Sequence, residues 1–178
     1  MTSLARGDGP GAFSEAIVSE MAAHVARPII MPLSNPTSHS EAQAADLIAW
    51  TGGRALIATG SPFPPVVYDG VEYQVAQANN ALIFPGLGLG VTVSRAHRVS
   101  DGMLAAAADA LARLSDATTP GAAVLPPVTS LREVSAAVAE AVARAARAEG
   151  LSDVPLDGLA DRVRQAMWEP AYPKVEAI

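Results

Sequence analysis

Short amide and hydroxyl side chains stand at the ends of apolar runs in this sequence, and they are the residues best suited to chemistry. They are Ser34 and Asn35, Ser61, and Asn79 with Asn80. In an open α/β sheet a ligand lies outside the carboxyl ends of the strands, where such groups hydrogen-bond it without blocking it. An amide donates and accepts at once. The pattern predicts one wall of a ligand pocket, with residues that position a ligand and do not act as acid, base or nucleophile.

Each of these residues also has a purely structural interpretation. Asn35 precedes Pro36 and could simply close a turn, because asparagine favours turns and a residue before proline avoids the helical region. Asn79 or Asn80 could cap a helix. Ser61 could be a turn former. Both interpretations stay open from the residues alone.

Other kinds of site find little support in the sequence. His24, His39 and His97 are far apart and lack the spacing of metal ligands or of a catalytic triad. The chain has no cysteine, which excludes disulfides and thiolate metal sites and fits a cytoplasmic location. The glycines at 86, 88 and 90 have the wrong spacing for a phosphate-binding loop.

The composition describes a globular body of one moderate domain in 178 residues, with 50% hydrophobic residues but only 4% aromatic ones. The net charge is −6, and the basic residues are scattered singly. Nucleic-acid binding is not expected, because phosphate neutralisation needs clustered cations. No apolar run reaches the roughly 20 residues that a membrane helix needs, so no membrane partner is expected.

The first half of the chain predicts a βαβ unit. Residues 1–10 are interpreted as a disordered leader, and helical spacing from Phe13 to Val25 stops at Pro28. Apolar strands are predicted over 29–33 and 55–59, and the continuous apolarity of the first suggests a parallel strand covered on both faces. Between them, Ser38 and Glu41 form a capping-box pattern for a helix that ends near Trp50.

The middle of the chain predicts a hairpin and then a glycine-containing helix. Asp69-Gly70 between two short β-branched runs is a strong two-residue hairpin signal. A helix should begin near Ile83, with Pro85 in its first turn. Glycines inside a helix are unfavourable, so close approach of a neighbouring backbone is the expected reason for those at 86, 88 and 90.

The last third predicts a helical layer. Ser100 is positioned to cap one helix, and Ser130 with Glu133 forms a second capping-box pattern for a helix that runs to Gly150. A short helix near 156–167 and an extended tail complete residues 151–178. The predicted fold class is α/β: later strands of a partial Rossmann-like nucleotide-binding sheet, a hairpin, and a C-terminal helical layer.

Several strings of residues, in this order and at these separations, resemble the carboxyl-terminal portion of a malic enzyme, the NAD(P)- and metal-dependent oxidative decarboxylase of malate. The strings are Gly11-Ala12-Phe13, Pro28-Ile29-Ile30, Leu33-Ser34-Asn35-Pro36-Thr37, Gly60-Ser61-Pro62-Phe63, Gln77-Ala78-Asn79-Asn80-Ala81-Leu82-Ile83-Phe84-Pro85-Gly86 and Pro126-Pro127. The resemblance makes residues 11–150 the C-terminal part of the NAD(P)-binding domain of such an enzyme.

The resemblance implies roles for the polar residues. Asn35 would lie against substrate and the nicotinamide ribose, Asn79 would hydrogen-bond malate, and Asn80 would stand beside it. Ser34 and Ser61 would lie on the cofactor side. The cofactors implied are NAD or NADP, with Mg²⁺ or Mn²⁺ in the complete enzyme, and the ligands are malate and pyruvate.

The family's remaining machinery cannot be placed in this sequence. Its catalytic lysine and tyrosine, its metal-binding acidic residues and its Gly-rich fingerprint should lie in a preceding portion, since the only lysine here is Lys174 and no Glu-Asp pair occurs. Two hypotheses follow. The chain is part of an enzyme that acts with a missing N-terminal portion or as a homo-oligomer, or it is a non-catalytic remnant that serves as an oligomerising or regulatory partner.

Overall fold

The computed structural model describes residues 11–169. Its first unit is the predicted βαβ arrangement. Helix α1 (Glu15–His24) leads into strand β1 (Ile29–Ile30), and helix α2 (Ala44–Trp50) connects it to strand β2 (Leu56–Thr59). The two strands pair in parallel, with Ile29 opposite Leu56 and Ile30 opposite Ile57. The predicted leader, residues 1–10, and the tail from residue 170, which includes Lys174, lie outside the described residues.

A third strand completes the sheet. Strand β5 (Ala76–Gln77) pairs in parallel with β2 and gives the order β1-β2-β5. Between β2 and β5 runs the predicted hairpin, formed by antiparallel strands β3 (Val66–Tyr68) and β4 (Val71–Tyr73). Asp69 and Gly70 both have positive φ, as a two-residue turn of this kind requires. Because the three sheet strands are parallel, their carboxyl ends meet at one edge.

Strand β1 differs from its prediction in two ways. Its ladder is only two residues long, because Pro32 has no N–H to donate; the Pro32 carbonyl instead accepts from the N–H of Gly60 (2.9 Å). The strand is also not covered on both faces. Ile30 is 2% exposed, whereas Ile29 and Met31 are 42% and 40% exposed. Within the described residues, the second face of β1 remains apolar and open.

The helical layer forms a separate core. It contains α3 (Phe84–Ser94), α4 (Asp101–Ala112) and α5 (Leu131–Ala148), with α6 (Leu159–Ala166) against α5. The buried side chains between α3, α4 and α5 are aliphatic, and they include Leu87, Met103, Leu111, Val134, Val138 and Val142. The predicted Ser100 cap is confirmed, because its hydroxyl accepts from the N–H of Met103 (3.1 Å).

Both predicted capping boxes are wrong. Helix α2 begins at Ala44 after Gln43, and the Glu41 carboxylate binds Ser34 instead of a helix terminus. Ser130 does precede α5, but it ends a 3₁₀ turn (Val128–Ser130) at φ −92° and ψ 16°. An N-cap residue needs an extended backbone for its side chain to reach the helix N–H groups. The preceding 3₁₀ turn removes that geometry.

The expectation of close backbone approach holds for two of the three glycines in α3. A Cβ on Gly86 would lie 2.6 Å from Cβ of Val138, and one on Gly90 would lie 2.7 Å from Cβ of Val142. Helix α5 therefore packs directly on the α3 backbone at these positions. Gly88 faces open space, with nothing within 4 Å of an added Cβ, so the expectation is wrong there.

We predict that Gly86→Ala and Gly90→Ala each lower the free energy of unfolding by about 1–3 kcal/mol, because the new methyl overlaps Val138 or Val142 and the α5 backbone. Gly88→Ala is the matched control in the same helix. It should raise the free energy of unfolding by up to about 1 kcal/mol through helix propensity alone. Urea denaturation of the three variants measures the difference. Equal effects at all three positions would contradict this account of the α3–α5 contact.

Candidate functional site

A cavity of about 630 Å³ opens at the carboxyl edge of the sheet. Its walls come from the loop after β1, the turn after β2, the segment after β5 and the start of α3. The described residues that line it are Leu33, Asn35, Gly60, Ala78, Asn79, Asn80, Leu82, Ile83, Phe84, Leu111 and Leu125. Asn35, Asn79 and Asn80 therefore share one cavity, and the turn that carries Ser61 contributes Gly60, as expected for the carboxyl ends of parallel strands.

Asn35 reaches the cavity from the loop that follows β1. Its side chain is exposed, and its Oδ1 accepts a hydrogen bond from the hydroxyl of Ser61. With the oxygen engaged, the Nδ2 group is the part of the amide that remains to donate toward a ligand. Asn35 thus does more than close a turn before Pro36.

The two serines stand behind the cavity wall. Ser61 is buried, and its carbonyl accepts from the hydroxyl of Thr59 (2.7 Å), while its own hydroxyl holds Asn35. The hydroxyl of Ser34 donates to Oε1 of Glu41 (2.7 Å). Neither serine is among the residues that line the cavity. Their contact with a cofactor stays a prediction, and their observed bonds orient the loop that carries Asn35.

Asn79 caps a turn and also lines the cavity, and its contact with malate stays a prediction. Its Oδ1 accepts from the N–H of Ala81 (2.9 Å) and caps a 3₁₀ turn (Asn80–Leu82), while the residue also lines the cavity. A backbone N–H only donates, so this bond fixes which end of the amide is oxygen. The Nδ2 group of Asn79 is left for a ligand. Asn80 is exposed on the same wall, and its backbone carbonyl accepts from the N–H of Ile83 (3.1 Å).

The electrostatic character of the cavity suits a ligand rich in acceptors. No charged side chain is among its described lining residues, so the polar contacts available are neutral amide groups. Ile83 and Phe84 also belong to the lining, which places the first turn of α3 at the wall. The amino end of a helix carries partial positive charge and favours anions. The amide donors and the helix terminus therefore both favour a ligand that carries acceptor oxygens or negative charge.

Two lining residues had no signal in the sequence. Leu111 belongs to α4 and Leu125 to the linker after it, and both close the cavity from the side of the helical layer. From the sequence both are simply apolar residues, because the neighbouring sequence does not distinguish a side chain that faces a cavity from one that faces a core. The apolar wall was therefore missed, whereas the polar wall was predicted.

No metal-binding cluster is found across residues 11–169, where no group of three or more His, Asp or Glu side chains could hold an ion. The described lining residues of the cavity include no Asp or Glu, whose carboxylates are the usual protein ligands of Mg²⁺. No helix among the described residues is long and apolar enough to cross a membrane.

Comparison with known proteins identifies the domain. A parallel sheet with a ligand-sized cavity at its carboxyl edge defines an α/β domain of the Rossmann-like kind. The family profile described as malic enzyme, NAD binding domain, matches residues 6–147. The chain belongs to the malic enzyme family, and the predicted resemblance and fold class are both confirmed.

Relatives from bacteria support the same assignment. The chain is 54% identical over 168 residues to NAD-dependent malic enzyme 3 of Bacillus subtilis, and 50% identical over 163 residues to malolactic enzyme of Lactiplantibacillus plantarum. These alignments cover 94% and 92% of this chain but 30% of each relative. The solved malic enzyme from Pyrococcus horikoshii Ot3 superposes with a TM-score of 0.70 at 26% identity, over 89% of this chain and 33% of that one. The chain thus spans about a third or less of these proteins.

The cap formed by Asn79 generates a prediction about stability. Asn79→Ala should lower the free energy of unfolding by about 1 kcal/mol, because the N–H of Ala81 loses its partner. Asn79→Asp should leave stability within about 0.5 kcal/mol, since aspartate caps as well as asparagine. Thermal and urea unfolding of both variants, with Asn80→Ala as the control, test the assignment. A larger loss for Asn80→Ala would show that the cap has been assigned to the wrong asparagine.

Proposed function

We propose that this chain forms one wall of the malate and nicotinamide-dinucleotide site of a malic enzyme. The observation that carries the proposal is the meeting of Asn35, Asn79 and Asn80 in one open cavity at the sheet edge. Family membership supplies the substrate class, and the geometry supplies the side chains that would contact it.

The amides suit malate because of the atoms they leave available. Asn35 and Asn79 each have their oxygen engaged within the protein and retain N–H donors. Carboxylate and hydroxyl oxygens of malate, and the carboxamide and ribose of nicotinamide, offer matching acceptors. In this proposal Asn35 lies between substrate and cofactor, Asn79 and Asn80 hold malate, and Ser34 and Ser61 stand on the cofactor side. Such contacts position the reacting groups and transfer no proton.

The reaction proposed for the complete enzyme is oxidative decarboxylation of malate to pyruvate. NAD or NADP would accept the hydride when bound, and NAD is favoured because the Bacillus relative is named as NAD-dependent. Mg²⁺ or Mn²⁺ would require ligands from another segment, since the described donor set does not fit a divalent cation. The lysine, the tyrosine and the Gly-rich fingerprint of the family would come from that segment too. A cytoplasmic location is proposed with this activity.

A second candidate reaction has its own support. The relative from Lactiplantibacillus plantarum is called a malolactic enzyme and is nearly as similar as the Bacillus one, at 50% against 54% identity. Both names refer to malate. A wall that binds malate would serve either enzyme. The remaining portion of the protein would therefore decide which of the two activities it has.

The rest of the enzyme polypeptide is proposed to complete the site and to cover the exposed face of this chain. The chain spans 30% of each of the two bacterial relatives, and Ile29 in the edge strand β1 and Met31 just after it leave an open apolar face, at 42% and 40% exposure. An open apolar face beside an unpaired strand edge favours association. A second copy of the chain is the other proposed cover. If neither restores catalysis, the alternative of a non-catalytic oligomerising or regulatory partner gains support.

A hybrid enzyme tests the proposed function. The chain should replace the aligned segment of NAD-dependent malic enzyme 3 and sustain malate-dependent NAD reduction, followed at 340 nm with Mn²⁺ present. The isolated chain under the same conditions should give no reduced nicotinamide above blank, because the proton-transferring groups are proposed to lie elsewhere. A folded but inactive hybrid would contradict the proposal that this chain and the Bacillus enzyme form the same wall of the malate site. Turnover by the isolated chain would contradict the division of the site.

The amide donor of Asn79 can be tested in the same hybrid. Asn79→Asp keeps the oxygen that caps the 3₁₀ turn but replaces the donor with a second anionic oxygen, so kcat/KM for malate should fall at least roughly 100-fold through repulsion and misplacement. Gln165→Glu makes the same amide-to-carboxylate change on the exposed side of α6 and should leave kcat/KM unchanged. Equal kinetics for Asn79→Asp and the unmodified hybrid would remove Asn79 from the malate contact.

A further inference from the structure

Glu41 is a buried acid that the proposed function does not use. It is 8% exposed, although glutamate is seldom buried without a partner. None of the ion pairs found among residues 11–169 involves it. It also does not cap α2, which begins three residues later at Ala44. A buried carboxylate with no ion pair and no capping role calls for another explanation.

Both carboxylate oxygens of Glu41 bind the same residue. Oε1 accepts from the hydroxyl of Ser34 (2.7 Å), and Oε2 accepts from the backbone N–H of Ser34 (3.2 Å). An ionised carboxylate accepts at both oxygens, so it matches these two donors fully. Ser34 immediately precedes Asn35, whose side chain lines the cavity. The carboxylate therefore fixes the backbone one residue away from a proposed ligand contact.

Glu41 is itself held by the backbone around it. Its carbonyl accepts from the N–H groups of Gly11 (3.0 Å) and Phe13 (3.2 Å), at the entry to α1. Ser40, buried just before it, donates from its hydroxyl to the carbonyl of Ala42 (2.9 Å). The segment that carries the carboxylate is thus anchored to the core, and it offers a fixed point against which the loop after β1 can be placed.

The loop after β1 is held from its other side by the turn after β2. A Cβ on Gly60 would lie 2.1 Å from the carbonyl oxygen of Leu33, so the two backbones touch at a position where only glycine fits. The hydroxyl of Ser61 holds Oδ1 of Asn35. Leu33, Ser34 and Asn35 are consequently clamped between Glu41 and the Gly60-Ser61 turn.

We infer that Glu41 is a positioning residue for the malate and nicotinamide site: its carboxylate holds Ser34 and thereby directs the amide donor of Asn35 into the cavity. The inference rests on the proposed function for its ligand, but the geometry it describes belongs to this chain alone. Glu41 touches no ligand in this scheme, and it acts through Ser34 and Asn35.

The first experiment uses the 178-residue chain and needs no ligand. In ¹⁵N-resolved NMR spectra, the backbone N–H of Ser34 should be protected from hydrogen exchange, and Glu41→Ala should lower that protection roughly 10-fold or more. The side-chain NH₂ signals of Asn35 should shift in the same variant. Ser94→Ala, which removes a buried hydroxyl that donates to the carbonyl of Val91 (3.2 Å) at the end of α3, should leave both unchanged. Glu41→Gln presents an NH₂ group to one of the two Ser34 donors and should fall between.

The second experiment is a double-mutant cycle in the hybrid enzyme. Glu41→Ala and Asn35→Ala should each lower kcat/KM for malate, Glu41→Ala by roughly 10- to 100-fold, as expected for a misplaced contact. The double variant should be no worse than Asn35→Ala alone, because Glu41 is inferred to act only through Asn35. A general loss of folding would instead multiply the two effects. Glu41→Gln should recover part of the activity.

The outcomes separate the inference from the proposed function. Unchanged Asn35 signals in Glu41→Ala, or multiplying effects in the cycle, would overturn the positioning role. If Asn35→Ala leaves the kinetics of the hybrid intact, the ligand role of Asn35 fails, while the NMR comparison still decides whether Glu41 holds the loop. If Glu41→Ala does not fold, the same spectra of Glu41→Gln decide it, since that variant preserves the side-chain volume.

Discussion

Parallel pairing of β1 with β2 and of β2 with β5 is the constraint on which the cavity depends. Each strand contributes only a few residues, yet their common direction delivers three separate loops to one edge. The contact between Gly60 and the Leu33 carbonyl then sets how closely the first two loops approach. A larger residue at 60 would separate the loops that carry Asn35 and Ser61. The site is therefore a consequence of strand direction and of one close backbone contact.

The helical layer supplies the opposite wall by the same kind of close contact. Gly86 and Gly90 let α5 pack on the backbone of α3, and this packing fixes the first turn of α3 beside the cavity. Leu111 follows from α4, which shares the aliphatic core with both helices. The polar loops and the apolar wall therefore belong to two cores, one under the sheet and one within the helices. Substitutions at Gly86 and Gly90 should therefore affect the cavity wall although they remove none of its amides.

Local signals in the sequence succeeded where a single residue type decides the geometry. Asp69-Gly70 predicted the hairpin because the turn needs positive φ. Serine before a helical stripe predicted the Ser100 cap, and the extended backbone found there lets the side chain form it. The capping boxes at Ser38 and Ser130 failed because tertiary contact and a preceding 3₁₀ turn replaced the local pattern. Strand β5 and the lining residues Leu111 and Leu125 were missed for a related reason. A two-residue strand and a cavity-facing leucine acquire their roles only from partners distant in sequence.

Other polar side chains would not reproduce the hydrogen bonding of Asn35 and Asn79. Each uses its oxygen inside the protein, with Ser61 or with the N–H of Ala81, and each leaves nitrogen donors for the cavity. Aspartate would keep the internal bond and lose the donor, whereas alanine would lose both. Lysine or arginine would bring donors but could not accept from Ser61 or Ala81. In the proposed site a carboxamide therefore serves the fold through its oxygen and an acceptor-rich ligand through its nitrogen, and asparagine supplies that group on a short side chain.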